Sequence, residues 1–254
     1  MAMTAVRIEI KHAALRYLDS EQPVLQGLNM HIQAGKWTCL LGRSGCGKTT
    51  LLRYLAGLAE QQVEWHGELS VSPKSLGTAS PLQGQLAYMA QQDLLLPWLS
   101  VLDNVCLNQR FSSVSESDKQ RALTLLEKVG LANDTDKLPQ QLSGGMRQRV
   151  ALARTLMQDK PLVLMDEPFS ALDAVTRYKL QSLAAELLRD KTVILITHDP
   201  QEAIRLADQL YVLRGSPASA CQLPVPSTLP PRNIDAECAQ LQQQILDTLE
   251  HDYE

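Results

Sequence analysis

The chain lacks the features of a secreted disulfide protein. Its 254 residues include only five cysteines, which are scattered, odd in number and without a Cys-x-x-Cys pair. Neither a disulfide framework nor a zinc site is indicated, and a reduced, cytosolic setting fits best. Charged residues such as Arg7, Glu9 and Lys11 interrupt the start of the chain, so we expect no signal peptide.

Long apolar runs and an excess of positive charge are also missing. No stretch of about 18 apolar residues occurs, so we expect that another chain provides any membrane-spanning part. The formal net charge is −4. Proteins that bind nucleic acid usually carry a basic stripe, so nucleic acid is not expected as a partner.

The pattern of apolar residues predicts an α/β fold with a mixed sheet. A hydrophobic fraction of 44% predicts a buried core. Residues 6–33 alternate apolar and polar, which is typical of strands in a small antiparallel β subdomain. Short apolar runs flanked by helical patterns indicate buried parallel strands, at 37–41, 161–166 and 192–197.

We expect one main domain at residues 1–213, into which a helical subdomain at about 92–145 is inserted. Residues 214–231 contain five prolines and are interpreted as a linker. Residues 233–250 have the spacing of a final amphipathic helix. Its apolar side would be formed by Ile234, Cys238, Leu241, Ile245 and Leu249.

The segment "GRSGCGKT", from Gly42 to Thr49, fits the pattern G-x-x-x-x-G-K-[ST] between a predicted strand and a predicted helix. Glycines allow consecutive backbone N–H groups to face phosphate oxygens, and the helix N-terminus adds partial positive charge. Lys48 would reach the outer phosphates, and Thr49 would offer its hydroxyl to Mg²⁺. The predicted phosphate-contacting residues are Gly42, Arg43, Ser44, Gly45, Cys46, Gly47, Lys48, Thr49 and Thr50.

A second glycine motif, "LSGGMRQR", runs from Leu142 to Arg149. Ser143 is a natural helix N-cap. Each glycine after it destabilises the helix by about 1 kcal/mol, so an ordinary helix start would not contain two of them. The paired glycines are explained if a phosphate must approach the backbone closely. The motif resembles the signature of ABC ATPases, and the resemblance extends from residue 6 to about 213. It implies that two chains pair head to tail. Ser143, Gly144 and Gly145 of one chain would then contact the γ-phosphate of ATP on the other.

The resemblance assigns further roles near the γ-phosphate. Asp166 in "LVLMDE" would hold Mg²⁺ through water, and Glu167 would polarise the attacking water. His198 would contact the γ-phosphate. Gln91 would sense Mg²⁺ and the water, although Gln92 is an alternative because the register is uncertain by one residue. The implied catalytic residues are Glu167, His198 and Gln91, and the implied metal ligands are Thr49, Gln91 and Asp166.

Two other residues have alternative interpretations. Asp173 in "SALD" matches the family's D-loop, which lies near the nucleotide, and it is also a suitable N-cap for a helix at about 174–189. Tyr17 matches the aromatic residue that stacks on adenine in the family. The alternative for Tyr17 is a strand tyrosine that packs on the core.

The chain layout favours a transporter subunit among ABC proteins. The segment between Lys48 and Ser143 is short and without heptads, unlike DNA-repair relatives, and the chain has one cassette. The alternative is a non-transport ABC ATPase that acts in assembly or on a soluble partner. The resemblance implies ATP and Mg²⁺ as cofactors, a homodimer, integral membrane permease subunits and a periplasmic substrate-binding protein. It places the chain peripherally on the cytoplasmic face of the inner membrane.

The segment "LLLPWLSVLDNV", residues 94–105, is similar to one in importers for nitrate, sulfonates, taurine and thiamine precursors. Together with the preceding "AYMAQQD", it is most similar to the hydroxymethylpyrimidine branch. Its leucines and tryptophan are predicted to form an apolar rim for a permease helix. Alternatively, these side chains belong to the core of the helical subdomain.

Overall fold

A computed structural model of the chain describes residues 5–73, 82, 84–111 and 114–250. The chain forms two compact units. The first contains the residues up to 86, the short segment 161–166 and the residues from 188 onward. The second contains residues 87–160 and 167–187. None of the helices in the described ranges has the length and apolar character needed to cross a membrane.

The first unit is built on a mixed sheet. Its strands are β1 (Arg7–Tyr17), β2 (Pro23–Ile32), β3 (Trp37–Gly42), β4 (Val63–Ser72), β6 (Leu162–Asp166), β7 (Thr192–Ile196), β8 (Gln209–Gly215) and β9 (Ala218–Leu223). A further strand, β5 (Leu86–Met89), starts at the last residue of this unit's first segment, and its other three residues belong to the second unit. Along the sheet, neighbouring strands follow the order β4-β1-β2-β9-β8-β3-β7-β6. The helices of this unit are α1 (Lys48–Leu55), α6 (Pro200–Leu206) and α7 (Ala236–Glu250).

The sheet confirms the strands that were predicted from apolar patterns. β1 pairs antiparallel with both β2 and β4, so the antiparallel β subdomain is present. β3, β6 and β7 are parallel, and every residue in them is buried. A strand buried on both faces needs no polar alternation, which explains its short, continuous apolar sequence.

The second unit is helical, with α2 (Val101–Val105), α3 (Glu116–Lys128), α4 (Gly144–Met157) and α5 (Ala174–Leu187). The predicted helical subdomain at 92–145 is therefore too short. The predicted boundary lies inside the glycine motif, but α4 begins at Gly144 and packs against both α2 and α3. A helix that shares its buried face with two others belongs to their unit.

The predicted linker at 214–231 is wrong over its first half. β9 pairs antiparallel with β8, and its residue Ala218 pairs with Leu25 of β2. Prolines flank β9 at 217 and 224 but do not interrupt it, so every residue of the strand keeps its backbone N–H group. The tail that follows ends in α7, whose buried residues Cys238, Leu241 and Ile245 match the predicted apolar side. Ile234 lies before the helix and is 48% exposed, and Leu249 is half-buried.

Candidate active site

Three adjacent parallel strands of the first unit bring predicted site residues to one edge of its sheet. β7 lies between β3 and β6, and Ile196 pairs with Leu40 on one side and with Asp166 on the other. The phosphate loop, Asp166 and His198 therefore all follow the carboxyl ends of neighbouring strands. Ligands of open α/β sheets bind at this edge.

The phosphate loop has a backbone that only glycine adopts without strain. Gly45 and Gly47 have φ angles of 80° and 99°. A Cβ atom on Gly47 would lie 2.6 Å from Cγ1 of Val24, whereas one on Gly45 would meet nothing within 4 Å. Gly47 is therefore required by close packing behind the loop. At Gly45 the positive φ angle alone favours glycine, and successive loop N–H groups in such a conformation are suited to an anion.

Lys48 closes the loop. Its Nζ donates hydrogen bonds to the carbonyl oxygens of Gly42, at 2.7 Å, and Arg43, at 2.8 Å. The side chain is buried, and Lys48 is also the first residue of α1, which carries no acidic residue in its first turn. The same residue thus supplies an ammonium group to the loop and begins a helix, and both an ammonium group and a helix N-terminus favour bound phosphate.

Tyr17 lies next to the phosphate loop rather than in the core. Its hydroxyl is 2.7 Å from the hydroxyl oxygen of Thr50, in the first turn of α1. The side chain is 36% exposed, which argues against the alternative of a core tyrosine. Its stacking on a base stays a prediction.

The residues at this edge fit a magnesium ion that shares its ligands with a phosphate. Asp166 is buried at the end of β6, and Thr49 is exposed in the first turn of α1. The described part of the chain contains no group of three or more His, Cys, Asp or Glu residues that could hold a metal by themselves. Mg²⁺ bound through one or two protein oxygens plus phosphate oxygens matches this sparse donor set.

In the second unit, Gln91 and Glu167 form a pair. Nε2 of Gln91 donates a hydrogen bond of 3.4 Å to Oε2 of Glu167, so the geometry favours Gln91 over Gln92 as the functional glutamine. Glu167 has a φ angle of 49°, which is uncommon for a residue with a side chain. The hydroxyl of Ser170 donates to the carbonyl oxygen of Glu167 at 3.0 Å and helps to hold this turn. Strained backbone of this kind is concentrated at functional sites.

The signature motif opens α4 in the same unit. The Ser143 hydroxyl accepts a hydrogen bond from the backbone N–H of Met146, which confirms its predicted role as N-cap. Ser143 and Gly144 are exposed. A Cβ atom on Gly145 would lie 3.4 Å from the carbonyl oxygen of Ala171, at ordinary van der Waals distance, so the start of α4 lies beside the segment before Asp173.

Asp173 begins α5 in the way the sequence predicts. Its carboxylate accepts a hydrogen bond of 3.0 Å from the backbone N–H of Thr176, and this bond is the main reason that the pKa of Asp173 is lowered. The capping role is therefore confirmed. A role beside the nucleotide stays a prediction.

Sequence patterns missed one cluster near the signature helix. Nε of Arg147 donates to the carboxylate of Asp93 at 2.9 Å, and Nη1 of Arg154 donates to the carbonyl oxygen of Leu94 at 2.8 Å. Burial lowers the pKa of Arg154, and the negative charge of Asp93 opposes this effect. Leu94 has a φ angle of 46° and is 58% exposed, and Trp98 is 71% exposed. The cluster thus holds an exposed apolar segment against α4.

Comparisons with known proteins agree with this geometry. A family model described as "ABC transporter" matches residues 25–170. An uncharacterized ABC transporter ATP-binding protein of Haemophilus influenzae is 46% identical over 90% of this chain and 93% of its own length. An aliphatic sulfonates import ATP-binding protein, SsuB 1 of Pseudomonas syringae, is 39% identical over 98% of each chain.

Solved structures give the same result. A dimeric ATP-binding cassette in a post-hydrolysis state, bound to ADP and Pi, superimposes with a TM-score of 0.74 and 28% identity. The similarity covers 87% of this chain and all of that one. A second dimeric structure, of a bacterial ABC transporter cassette, has a TM-score of 0.72 at 27% identity and the same coverage.

Cys46 provides a chemical test of the phosphate loop. The residue is buried and its Sγ lies 3.8 Å from Nζ of Lys48, so a maleimide adduct, which forms only when the loop opens, would displace the lysine that the outer phosphates need. We expect N-ethylmaleimide to abolish ATPase activity, prior addition of ATP to protect, and the Cys46→Ser variant to resist. Cys221→Ser, which removes a partly exposed cysteine of the same unit, is the control and should stay sensitive. Full sensitivity of Cys46→Ser would refute the prediction.

Proposed function

The chain belongs to the ABC transporter family of ATP-binding proteins, and from this membership we propose that it powers an importer for aliphatic sulfonates. Its activity as the ATP-hydrolysing subunit of an importer follows from the family and from relatives that are named as import ATP-binding proteins. The observation that carries the ATPase activity is the alignment of the phosphate loop, Asp166 and His198 at one sheet edge, whereas the proposed cargo rests on the relatives.

The reaction is ATP + water → ADP + phosphate, and the protein contributes position and charge rather than a covalent bond. Backbone N–H groups between Gly42 and Thr49 receive the phosphate oxygens. Lys48 exchanges its hydrogen bonds to the Gly42 and Arg43 carbonyls for bonds to the outer phosphates. Tyr17 stacks on the base. These contacts bind the nucleotide before hydrolysis begins.

Hydrolysis uses residues at strand ends. Glu167 accepts a proton from the attacking water or orients it, and the amide of Gln91 holds one oxygen of that carboxylate in place. His198 follows β7 and donates a hydrogen bond to the γ-phosphate. The Thr49 hydroxyl and the Asp166 carboxylate would hold Mg²⁺, which neutralises phosphate charge when it is bound.

We propose that two copies complete each site. The phosphate loop belongs to the first unit and Ser143 to the second. In the head-to-tail pairing implied by the family, the exposed N-terminus of α4 presents Ser143, Gly144 and Gly145 to the partner's γ-phosphate. Asp173 lies on the segment that packs against Gly145 and would approach the same nucleotide.

The exposed segment around Leu94 and Trp98 is the proposed contact for the permease. Both side chains are apolar and largely exposed, which supports the rim interpretation for them, whereas one neighbouring leucine and the two valines of the segment 94–105 are buried, as the core alternative predicts. The guanidinium groups of Arg147 and Arg154 connect this segment to the helix that begins at Ser143. A permease bound there at the cytoplasmic face of the membrane would receive cargo from a periplasmic binding protein.

The proposed cargo comes from the names of the relatives. Proteins from Pseudomonas, Mesorhizobium and Rhodococcus that are 39–40% identical are all named aliphatic sulfonates import proteins. The sequence resemblance alone favours hydroxymethylpyrimidine within the same importer group. We take sulfonate as the cargo because these matches cover at least 89% of this chain.

A growth experiment distinguishes the two cargoes. Deletion of the gene in the source organism should prevent growth on an alkanesulfonate as sole sulfur source and leave growth on sulfate unchanged. A plasmid copy should restore growth, whereas a plasmid copy carrying Lys48→Ala should not, because the outer phosphates lose their cation. Normal growth on the sulfonate, combined with a new requirement for thiamine, would instead favour the pyrimidine precursor.

The catalytic role of Glu167 is tested by Glu167→Gln, which keeps the shape of the side chain and removes its charge. We expect kcat to fall by about 100-fold or more with ATP binding retained, because the water loses its base. The variant should elute as a dimer in ATP on a sizing column. Glu186→Gln, on the exposed side of α5, is the matched control and should behave as wild type. Normal turnover by Glu167→Gln would remove the assignment.

A further inference from the structure

The tail after β9 is bound to the core of the first unit through Arg232. The residue is only 3% exposed. Its guanidinium donates hydrogen bonds to the carbonyl oxygens of Ile204, at 2.9 Å, Ala207, at 2.5 Å, and Pro226, at 3.0 Å. Burial lowers the pKa of Arg232 and the charge of Asp208 opposes this, but a guanidinium stays protonated at neutral pH. A buried cation with three carbonyl acceptors is a specific anchor.

The anchor holds the C-terminal end of α6. Besides the contacts of its guanidinium, Arg232 donates its backbone N–H to the carbonyl oxygen of Arg205 at 2.8 Å. Nη1 of Arg205 donates in return to the carbonyl oxygen of Arg232 at 2.7 Å. The last carbonyl groups of a helix have no partner within it, so the tail supplies partners that α6 itself lacks. A helix of seven residues, Pro200–Leu206, has little stability of its own and depends on such contacts.

The N-terminal end of α6 is connected to His198. Asp199 caps the helix by accepting from the backbone N–H of Gln201, and its own N–H donates to the Thr197 hydroxyl at 3.0 Å. That hydroxyl in turn donates to the buried carboxylate of Glu202 in the first turn of α6. The residues on both sides of His198 are therefore bonded to the start of α6. Movement of the helix would move the histidine.

α7 gives the same helix a second support. It packs against α6, and Nε2 of Gln201 donates to Oε1 of Gln242 at 3.3 Å. We propose that Arg232 is a positioning residue, which holds α6 so that His198 faces the γ-phosphate. The tail thus sets the rate of hydrolysis, whereas the phosphate loop, which is carried by β3 and α1, sets nucleotide affinity. This inference rests on the proposed contact between His198 and the γ-phosphate.

Kinetics of the purified full-length chain give the first test. For Arg232→Ala we expect kcat to fall about tenfold with KM for MgATP unchanged within about twofold, because a misplaced catalytic group affects the transition state more than ground-state binding. Arg232→Lys keeps the charge without the planar fork, and should give an intermediate rate. Arg214→Ala, at an exposed position in β8 of the same unit, is the control and should match wild type.

Nuclear magnetic resonance of the histidine rings gives the second test. The chain has five histidines, so the His198 signal can be assigned by its loss in His198→Ala. In both Arg232 variants that signal should shift, while the signals of His12 and His66 in the antiparallel strands should not. If the His198 signal stays at its wild-type position in Arg232→Lys, the inference is wrong, even if Arg232→Ala fails to fold. Full ATPase activity of His198→Ala would instead refute the proposed role of His198, independently of Arg232.

Discussion

The register of three buried parallel strands is the constraint on which the rest of the first unit depends. Leu40, Ile196 and Asp166 are register partners across β3, β7 and β6, so the loops that follow these strands start at the same edge. All residues of the three strands are buried. A register shift would mispair the closely packed side chains on both faces of these strands and displace the phosphate loop relative to Asp166 and His198. The energy that forms the core therefore also assembles the site.

The second unit combines two tasks in one helix. α4 presents Ser143 at its N-terminus, and its Arg147 and Arg154 hold the backbone and carboxylate of the segment that begins at Asp93. If a bound permease displaced that segment, these charge-assisted bonds would transmit the displacement to α4 and to the signature motif at its start. α6 of the first unit has a comparable position between His198 and the tail. Both helices connect a residue proposed to contact nucleotide with a more distant part of the same unit.

Sequence patterns predicted the features that are determined by residues close together in the chain. The phosphate loop, the strands before Asp166 and His198, and the caps at Ser143 and Asp173 each depend on a few consecutive residues. The contacts of Asp93 with Arg147 and of Arg232 with α6 could not be predicted, because they join residues far apart in the chain. The same holds for β9, whose small side chains and flanking prolines resemble a linker, and whose partner β2 lies far away in the sequence. The unusual φ of Glu167 has no local sequence signal either.

We propose that the phosphate loop of one chain and Ser143 of another close on the same ATP. Cysteines placed at Ser44 and Ser143, in a chain that also carries Cys46→Ser and Glu167→Gln, test it by cross-linking with a short bifunctional reagent. We expect a covalent dimer that forms in MgATP and not in its absence, joined between position 44 of one copy and position 143 of the other. Cross-linking that is independent of ATP, or no cross-link in saturating ATP, would contradict it.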